Sequence, residues 1–151
     1  MTPRVKIINA CSEHIEAIAE IESRAIPGGW SRRAFEEAAA APGKIILAAE
    51  LEGRTVGFAN ASFVLDEGEI LNIAVDEKYR HAGIGKALLY SLLESFPCET
   101  ENVYLEVRSE NSAAISLYEK AGFESCGLRK KYYADPVDDA VIMKKNIKDD
   151  E

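Results

Sequence analysis

A turn with two glycines stands directly before a predicted amphipathic helix, and its residue types suit the binding of a phosphate group. The turn reads Arg80-His81-Ala82-Gly83-Ile84-Gly85 and is followed by Lys86. Glycines let the backbone approach a ligand closely, and the unpaired N–H groups and dipole at the start of a helix favour an anion. Arg80 and Lys86 add positive charge. The segment therefore predicts a phosphate or pyrophosphate site.

Two common nucleotide-binding motifs are excluded by single residues in this segment. A Walker loop requires Gly-Lys followed by Ser or Thr, whose hydroxyl binds Mg²⁺, but Ala87 follows Lys86. A Rossmann fingerprint requires a third glycine three residues after Gly85, and that position is Leu88. The turn fits neither of these folds.

Three polar residues further along the chain are candidates for acid, base and ligand chemistry. Glu106 lies in the middle of a predicted strand, where a buried carboxylate is costly unless it is paired or functional, and desolvation would raise its pKa. Pairing with Arg108 or another cation is the alternative. Tyr118 lies on the apolar stripe of a helix, where an aromatic residue ordinarily packs in the core. Asn111 stands where the N-cap of that helix is expected.

The elements that must position these residues predict an α/β fold with a mixed central sheet and helices on both faces. A right-handed parallel crossover is expected from Glu69 to Arg108. Glu52-Gly53-Arg54 predicts an antiparallel hairpin, and Glu67-Gly68 predicts the turn before a strand that is buried on both faces. The expected strands are 4–10, 44–51, 55–65, 69–75, 103–108, 123–132 and 138–146. The expected helices are 12–25, capped by Ser12 and ended by Pro27-Gly28-Gly29, then 31–41, capped by Ser31, then 83–95 and 112–121.

Composition limits the classes of function. With 151 residues, 47% hydrophobic and 29% charged, the chain is expected to form a single domain over 1–151, with 148–151 as a disordered tail. The sequence lacks a membrane-length apolar run and a signal-peptide pattern, so a cytoplasmic protein without membrane contact is expected. A net charge of -8 disfavours direct binding of nucleic acid and suits a basic peptide or polyamine, although charge can also serve solubility alone.

Cysteines and histidines give no indication of a metal site. The three cysteines, Cys11, Cys98 and Cys126, are expected to be free thiols because they are odd in number and widely spaced. His14 and His81 have no metal-ligand spacing with each other or with a cysteine. We therefore expect no metal.

The order of these motifs resembles that of the GNAT acetyltransferase superfamily. Arg-x-x-Gly-x-Gly after a strand is similar to its pyrophosphate loop. Within the superfamily the sequence is most similar to the RimI group, which acetylates the N-terminal alanine of a small-subunit ribosomal protein. The other matching segments are Leu71–Val75, Leu105–Arg108, Asn111–Ile115, Leu117–Phe123, Trp30-Ser31, Arg129–Tyr133 and Asp135-Pro136.

The resemblance implies the GNAT fold, acetyl-CoA as co-substrate, Glu106 as general base and Tyr118 as general acid. The cofactor would lie between splayed strands, where backbone groups hold pantetheine and polarise the acetyl carbonyl. The implied cofactor-binding residues are Ile73, Ala74, Val75, Arg80, His81, Ala82, Gly83, Ile84, Gly85, Lys86 and Asn111. The implied partner is a protein N-terminus, from a ribosomal protein with a basic N-terminal segment. The implied substrate-binding residues are Trp30, Ser31, Tyr132, Tyr133 and Asp135.

Other readings of the same residues stay open. The core could serve a polyamine, an antibiotic amine or a lysine side chain, or could be a non-catalytic module that senses acyl-CoA. The hairpin residues Asp135, Asp138 and Asp139 could clasp a basic substrate tail, or could form only a polar turn. Two departures from the RimI pattern are His81-Ala82, where relatives often carry arginine, and Ile26–Gly29, which lacks a proline next to Trp30.

Overall fold

The helices and strands follow the expected order in the computed structural model, which describes residues 5–25, 30–134 and 136–148. A 3₁₀ turn over Glu77–Tyr79 precedes the third helix. The helices are α1 Ser12–Ala25, α2 Arg32–Ala40, α3 Ile84–Ser95 and α4 Ser112–Lys120. The strands are β1 Lys6–Asn9, β2 Lys44–Leu51, β3 Arg54–Val64, β4 Glu67–Val75, β5 Asn102–Arg108, β6 Glu124–Ala134 and β7 Val137–Asn146.

Hydrogen bonding joins the described strands into one mixed sheet, in the order β1-β2-β3-β4-β5-β7-β6. The pairs β1–β2, β2–β3, β5–β7 and β6–β7 are antiparallel, whereas β4 and β5 are parallel. The predicted mixed α/β sheet is therefore confirmed. The chain divides into two compact units, the first from 1–62 and 72–96 and the second from 63–71 and 97–151.

The core of the first unit has helices on both faces of its strands. The apolar stripe Ile15, Ile18 and Ile21 of α1 packs in one cluster with Phe35 of α2 and Phe58 of β3, as its period predicts. On the opposite face, a Cβ added to Gly57 would lie 3.2 Å from Leu88 Cδ1, so α3 packs tightly there. Burial of each of these large side chains contributes about 1.5–3 kcal/mol.

Strand β5 shows the predicted alternation in the second unit. Val103, Leu105 and Val107 are buried, while the polar residues between them are half-buried. Because successive side chains of a strand point to opposite faces, Glu106 shares the polar face with Tyr104 and Arg108.

Strand β4 differs from expectation in its start and in its burial. It begins at Glu67, so the turn lies at Leu65-Asp66, where Leu65 adopts a left-handed φ of 55°. Its apolar residues are not buried on both faces, since Ile70 and Ala74 are buried but Leu71, Ile73 and Val75 are only half-buried. Apolar composition shows which side chains can be buried, and does not show which of them another element covers.

Several expectations fall outside the described residues, namely the helix terminator Pro27-Gly28-Gly29, Asp135 and most of the expected tail. Within the described part of the chain, none of the helices combines the length and apolar character required to cross a lipid bilayer.

Candidate active site

The chain passes from β4 through the 3₁₀ turn Glu77–Tyr79 into the turn of residues 80–85, where α3 begins. This second turn leaves the N–H groups at the start of α3 available. His81 and Gly83 adopt left-handed conformations, with φ of 66° and 82°. Gly83 is the N-cap of α3, and no side chain there accepts a hydrogen bond from the first turn of the helix. These N–H groups at the positive end of a helix dipole are suited to an anion.

The side chains of the turn agree with a pyrophosphate site. Arg80 and Lys86 are exposed, and Arg80 Nε donates to Val75 O at 3.4 Å. A Cβ added to Gly85 would meet only Val75 Cγ2, at 3.9 Å, so the packing does not require a glycine there. Glycine in a helix costs about 0.5–1 kcal/mol relative to alanine. The open side of Gly85 therefore suits the close approach of a ligand.

Ile73, Ala74 and Val75, whose backbone groups are predicted to hold pantetheine, are the last residues of β4. Ala74 is buried, while Ile73 and Val75 are half-buried. Their role in holding pantetheine stays a prediction.

Glu106 in β5 is a largely buried carboxylate whose two oxygens have different surroundings. Its side chain is 21% exposed, and Oε1 lies 3.7 Å from Arg129 Nε. Oε2 is buried and has no hydrogen-bond partner among the described residues. The cation of this ion pair, Arg129, belongs to β6. Arg108 has other contacts: its Nη1 donates to Pro136 O at 2.8 Å, and its Cζ lies 4.3 Å from the centroid of the Tyr133 ring. One carboxylate oxygen is therefore free to accept a proton.

Two tyrosines of the second unit lie in the electrostatic surroundings of Glu106, and a third is buried. The negative charge of Glu106 raises the pKa of Tyr132 above its ordinary value. Burial, and then the charge of Glu106, raise the pKa of Tyr133. Burial raises the pKa of Tyr118 to about 12, with a further contribution from Tyr133. The ring of Tyr118 also packs on Phe123 with centroids 5.8 Å apart, as the packing alternative predicts.

Asn111 caps α4 as predicted. Its Oδ1 accepts from Ala114 N at 3.1 Å, while the residue is exposed. The cap uses only the side-chain oxygen, so the amide N–H donors stay compatible with a bound ligand.

The predicted substrate-binding residues occupy defined places in separate units. In the first unit, Trp30 is half-buried with its ring 5.3 Å from that of Phe35, and Ser31 caps α2 by accepting from Ala34 N at 3.1 Å. In the second unit, Tyr132 is 51% exposed. Asp135 lies outside the described residues.

The two acidic residues of the last hairpin make internal hydrogen bonds. Asp138 accepts from Ser109 Oγ at 2.6 Å, and this bond is the main reason that the pKa of Asp138 is lowered. Asp139 accepts from Lys131 N at 2.8 Å. These contacts favour the polar-turn interpretation for both residues.

Comparison with known proteins identifies the family. The profile of the Acetyltransferase (GNAT) family matches residues 15–123. The chain belongs to the GNAT acetyltransferase family. Like the family, this GNAT enzyme is an acetyl-CoA-dependent N-acetyltransferase.

Relatives agree over nearly the whole length of the GNAT domain. The [ribosomal protein bS18]-alanine N-acetyltransferase of Escherichia coli K12 is 39% identical over 134 residues, covering 85% of this chain and 88% of the relative. The N-alpha-acetyltransferase RimI of Mycobacterium tuberculosis is 36% identical, covering 87% and 85%. The crystal structure of the Escherichia coli ribosomal-protein-S18-alanine N-acetyltransferase superposes with a TM-score of 0.87 at 34% identity, covering 95% and 94%.

A buried carboxylate of this GNAT enzyme was missed by the sequence analysis. Glu22 of α1 is fully buried, accepts from Asn72 Nδ2 at 2.6 Å and also bonds the backbone N–H of Trp30. Asn60 in turn donates to Asn72 Oδ1 at 3.1 Å. Burial raises the pKa of Glu22, and the two hydrogen bonds oppose that shift. Its position seven residues after Ile15, on the apolar stripe, was the available signal.

A second feature that the sequence analysis did not predict is a cluster of polar side chains at the N-terminal end of α1. The potential ligand atoms of Cys11, Glu13 and His14 lie within 4.8 Å of one another, although the sequence predicts no metal-ligand spacing between His14 and a cysteine. His14 Nδ1 accepts from Cys11 N at 3.0 Å, and Nε2 lies 2.9 Å from Glu50 Oε2. Both ring nitrogens are thus engaged within the protein, which makes this a helix-capping arrangement. The expectation that the enzyme uses no metal stays a prediction.

Proposed function

We propose that the enzyme transfers the acetyl group of acetyl-CoA to the N-terminal α-amine of a protein, namely the N-terminal alanine of the small-subunit ribosomal protein bS18. Relatives that carry this activity in their names match over most of their own length. The observation that carries the proposal is Glu106, a mid-strand carboxylate with one buried oxygen that has no hydrogen-bond partner among the described residues. A buried acceptor of this kind is suited to take a proton from a substrate ammonium.

The reaction requires a neutral amine, a polarised carbonyl and a proton for the departing thiolate. Glu106 removes a proton from the ammonium, directly or through water, so that the nitrogen lone pair can attack the thioester carbonyl. Backbone N–H groups among Ile73, Ala74 and Val75 polarise that carbonyl. The nitrogen of the tetrahedral intermediate loses its second proton to water, the C–S bond breaks, and the amide and free coenzyme A leave.

Tyr118 is the proton donor to the thiolate. With a pKa of about 12, its phenol is fully protonated at neutral pH, which is the state that a donor requires. A phenol of ordinary pKa, about 10, is already a weaker acid than a thiol, about 8.5, and burial widens this difference. Tyr118 therefore stabilises the departing sulfur chiefly as a hydrogen-bond donor, and solvent returns the proton that the phenol gives to the thiolate.

The remaining residues bind the two substrates. The N–H groups of the turn from Arg80 through His81, Ala82, Gly83 and Ile84 to Gly85, with the charges of Arg80 and Lys86, bind the pyrophosphate, and the amide of Asn111 donates to the cofactor. Trp30, Ser31, Tyr132, Tyr133 and Asp135 contact the protein N-terminus. The net charge of -8 suits a basic N-terminal segment. The single domain, the cytoplasmic location and the absence of direct nucleic-acid contact stay part of this proposal.

An acetylation assay separates this function from its alternatives. We expect thiol release from acetyl-CoA with a peptide of the bS18 N-terminus, and mass spectrometry should locate the acetyl group on its α-amine. The control peptide has a blocked N-terminus and free lysines, and spermidine represents small amines. Acetylation of the blocked peptide or of spermidine at a higher kcat/KM would favour the lysine or polyamine alternative. Acetyl-CoA binding without turnover of any acceptor would indicate a sensing module.

A further inference from the structure

Strand β6 contains a bulge of three residues opposite a single residue of β7. The ladder pairs Arg129 with Ala140 and then resumes with Tyr133 opposite Asp138. The three residues 130–132 therefore stand against Asp139 alone, where an ordinary bulge sets two residues against one. Lys131 in the bulge has a φ of 52°, in the left-handed region that disfavours residues other than glycine.

The Asp139 side chain holds this bulge in place. Its Oδ1 accepts from the backbone N of Lys131 at 2.8 Å, so the residue with the unfavourable conformation is bonded to a carboxylate. The backbone of Asp139 is itself fixed, because its O accepts from Ser109 N at 2.9 Å and its N donates to Asp138 Oδ1 at 2.7 Å. The backbone of Asp139 is therefore hydrogen-bonded to Ser109, the residue that follows β5.

The bulge determines which residues reach the active-site carboxylate. A regular ladder continued from Arg129 and Ala140 would place Lys131, rather than Tyr133, opposite Asp138. With the bulge, the centroid of the Tyr132 ring lies 5.6 Å from Arg129 Cζ, and Arg129 Nε lies 3.7 Å from Glu106 Oε1. The rings of Tyr132 and Tyr133 pack edge to face with centroids 5.1 Å apart. The tyrosine pair thus depends on the irregular backbone before it.

We propose that Asp139 is a positioning residue for acetyl transfer, whose carboxylate fixes the β6 bulge and thereby keeps the Tyr132 ring on Arg129, beside Glu106. The proposal rests on the proposed function, since that function makes Glu106 the base. Asp139 acts through the bulge, because its carboxylate accepts from the backbone N of Lys131, while its own backbone bonds Ser109 N and the Asp138 carboxylate.

The first test follows Tyr132 itself and requires no activity. Alkaline titration of tyrosine absorbance is compared in the wild type and in Asp139→Ala, and Tyr132→Phe in each background identifies the Tyr132 component. We expect Tyr132 to titrate above an ordinary tyrosine in the wild type and to return toward ordinary behaviour in Asp139→Ala. Asp139→Asn keeps an oxygen acceptor for Lys131 N and should resemble the wild type. An unchanged Tyr132 titration in Asp139→Ala would overturn the proposal.

A glycine variant separates bulge geometry from general destabilisation. Lys131→Gly removes the conformational penalty at a positive φ, so it should titrate like the wild type. The double variant Asp139→Ala/Lys131→Gly should recover the raised Tyr132 titration, and it also covers the case in which Asp139→Ala does not fold. Failure of the double variant to recover that titration would contradict the role of Asp139 as the anchor of a strained turn.

The second test is kinetic and uses the bS18 peptide. We expect Asp139→Ala to lower kcat/KM for the peptide about tenfold, because Tyr132 and Arg129 would no longer be held beside Glu106, with the Kd of acetyl-CoA unchanged. If Asp139→Ala changes the titration of Tyr132 but leaves kcat/KM unchanged, a role of Asp139 in acetyl transfer is rejected. If the wild type itself acetylates no peptide, the proposed function fails, whereas the titration still decides whether Asp139 fixes Tyr132.

Discussion

Glu106 Oε1 lies 3.7 Å from Arg129 Nε, while Oε2 of the same carboxylate is buried without a hydrogen-bond partner among the described residues. The arginine side chain is 57% exposed, so the ion pair contributes little to folding stability. Its position on one oxygen orients the carboxylate and leaves the other oxygen for chemistry. This asymmetry distinguishes Glu106 from a carboxylate that only pairs with a cation.

Replacement of Glu106 by Gln should remove the base and keep the shape of the site. We expect kcat to fall by about 10²- to 10⁴-fold, the usual contribution of general base catalysis, while acetyl-CoA affinity is unchanged. The matched control is Glu119→Gln, at an exposed position of α4. Equal kcat values in Glu106→Gln and the wild type would reject Glu106 as the base.

Replacement of Tyr118 by Phe tests the acid and the cost of its burial. Chemistry should slow by about 10²-fold while acetyl-CoA affinity stays constant, whereas a matching loss of affinity would indicate a packing role.

The burial of Tyr118 also predicts a pH dependence of stability. The pKa of Tyr118 in the folded protein, about 12, exceeds the ordinary value of 10.0. The protonated phenol therefore stabilises the fold fully below pH 10, and this contribution disappears as the pH rises toward 12. Between pH 10 and 12, the unfolding free energy of the wild type should fall by about 2–3 kcal/mol more than that of Tyr118→Phe, as measured by denaturant unfolding.

Local sequence signals predicted much of the fold because they act over a few residues. The alternation of Val103, Leu105 and Val107 marked the buried face of β5, and hydrogen-bonding side chains at Ser31 and Asn111 marked two helix starts. The family resemblance added the identity of the acetyl-CoA site, which composition and spacing had left at a phosphate site.

Features that depend on contacts between distant residues were not predictable in the same way. The Glu22–Asn72 bond joins residues 50 positions apart, and Arg129 reaches Glu106 from another strand. The left-handed Leu65 at the true β3–β4 turn contradicts local preference, which favoured Glu67-Gly68. In each case tertiary structure determined the outcome against, or independently of, the local pattern.

The buried Glu22 predicts a pH dependence of stability with a definite sign. Its pKa is raised above 4.5 by burial, so its protonated form stabilises the fold below that value, and the contribution is lost as the pH rises through the folded pKa. Relative to the wild type, Glu22→Gln should therefore gain unfolding free energy between pH 4.5 and neutrality. Glu22→Ala leaves the Asn72 amide unpaired and should cost about 1–3 kcal/mol. Denaturant unfolding at several pH values measures both, and a pH-independent difference between wild type and Gln would contradict the assignment.

The two glycines of the phosphate turn should respond oppositely to alanine. At Gly85 a Cβ meets only Val75 Cγ2 at 3.9 Å, so Gly85→Ala should raise the unfolding free energy by about 0.5–1 kcal/mol through helix propensity. The same methyl group would stand where the pyrophosphate approaches, so acetyl-CoA affinity should fall about tenfold or more. At Gly83 the space is also open, but its φ of 82° strains an alanine, and Gly83→Ala should lower stability. Calorimetric titration with acetyl-CoA, with thermal unfolding of the same samples, distinguishes the two effects. Full affinity in a stabilised Gly85→Ala would show that the pyrophosphate does not approach α3 at this residue.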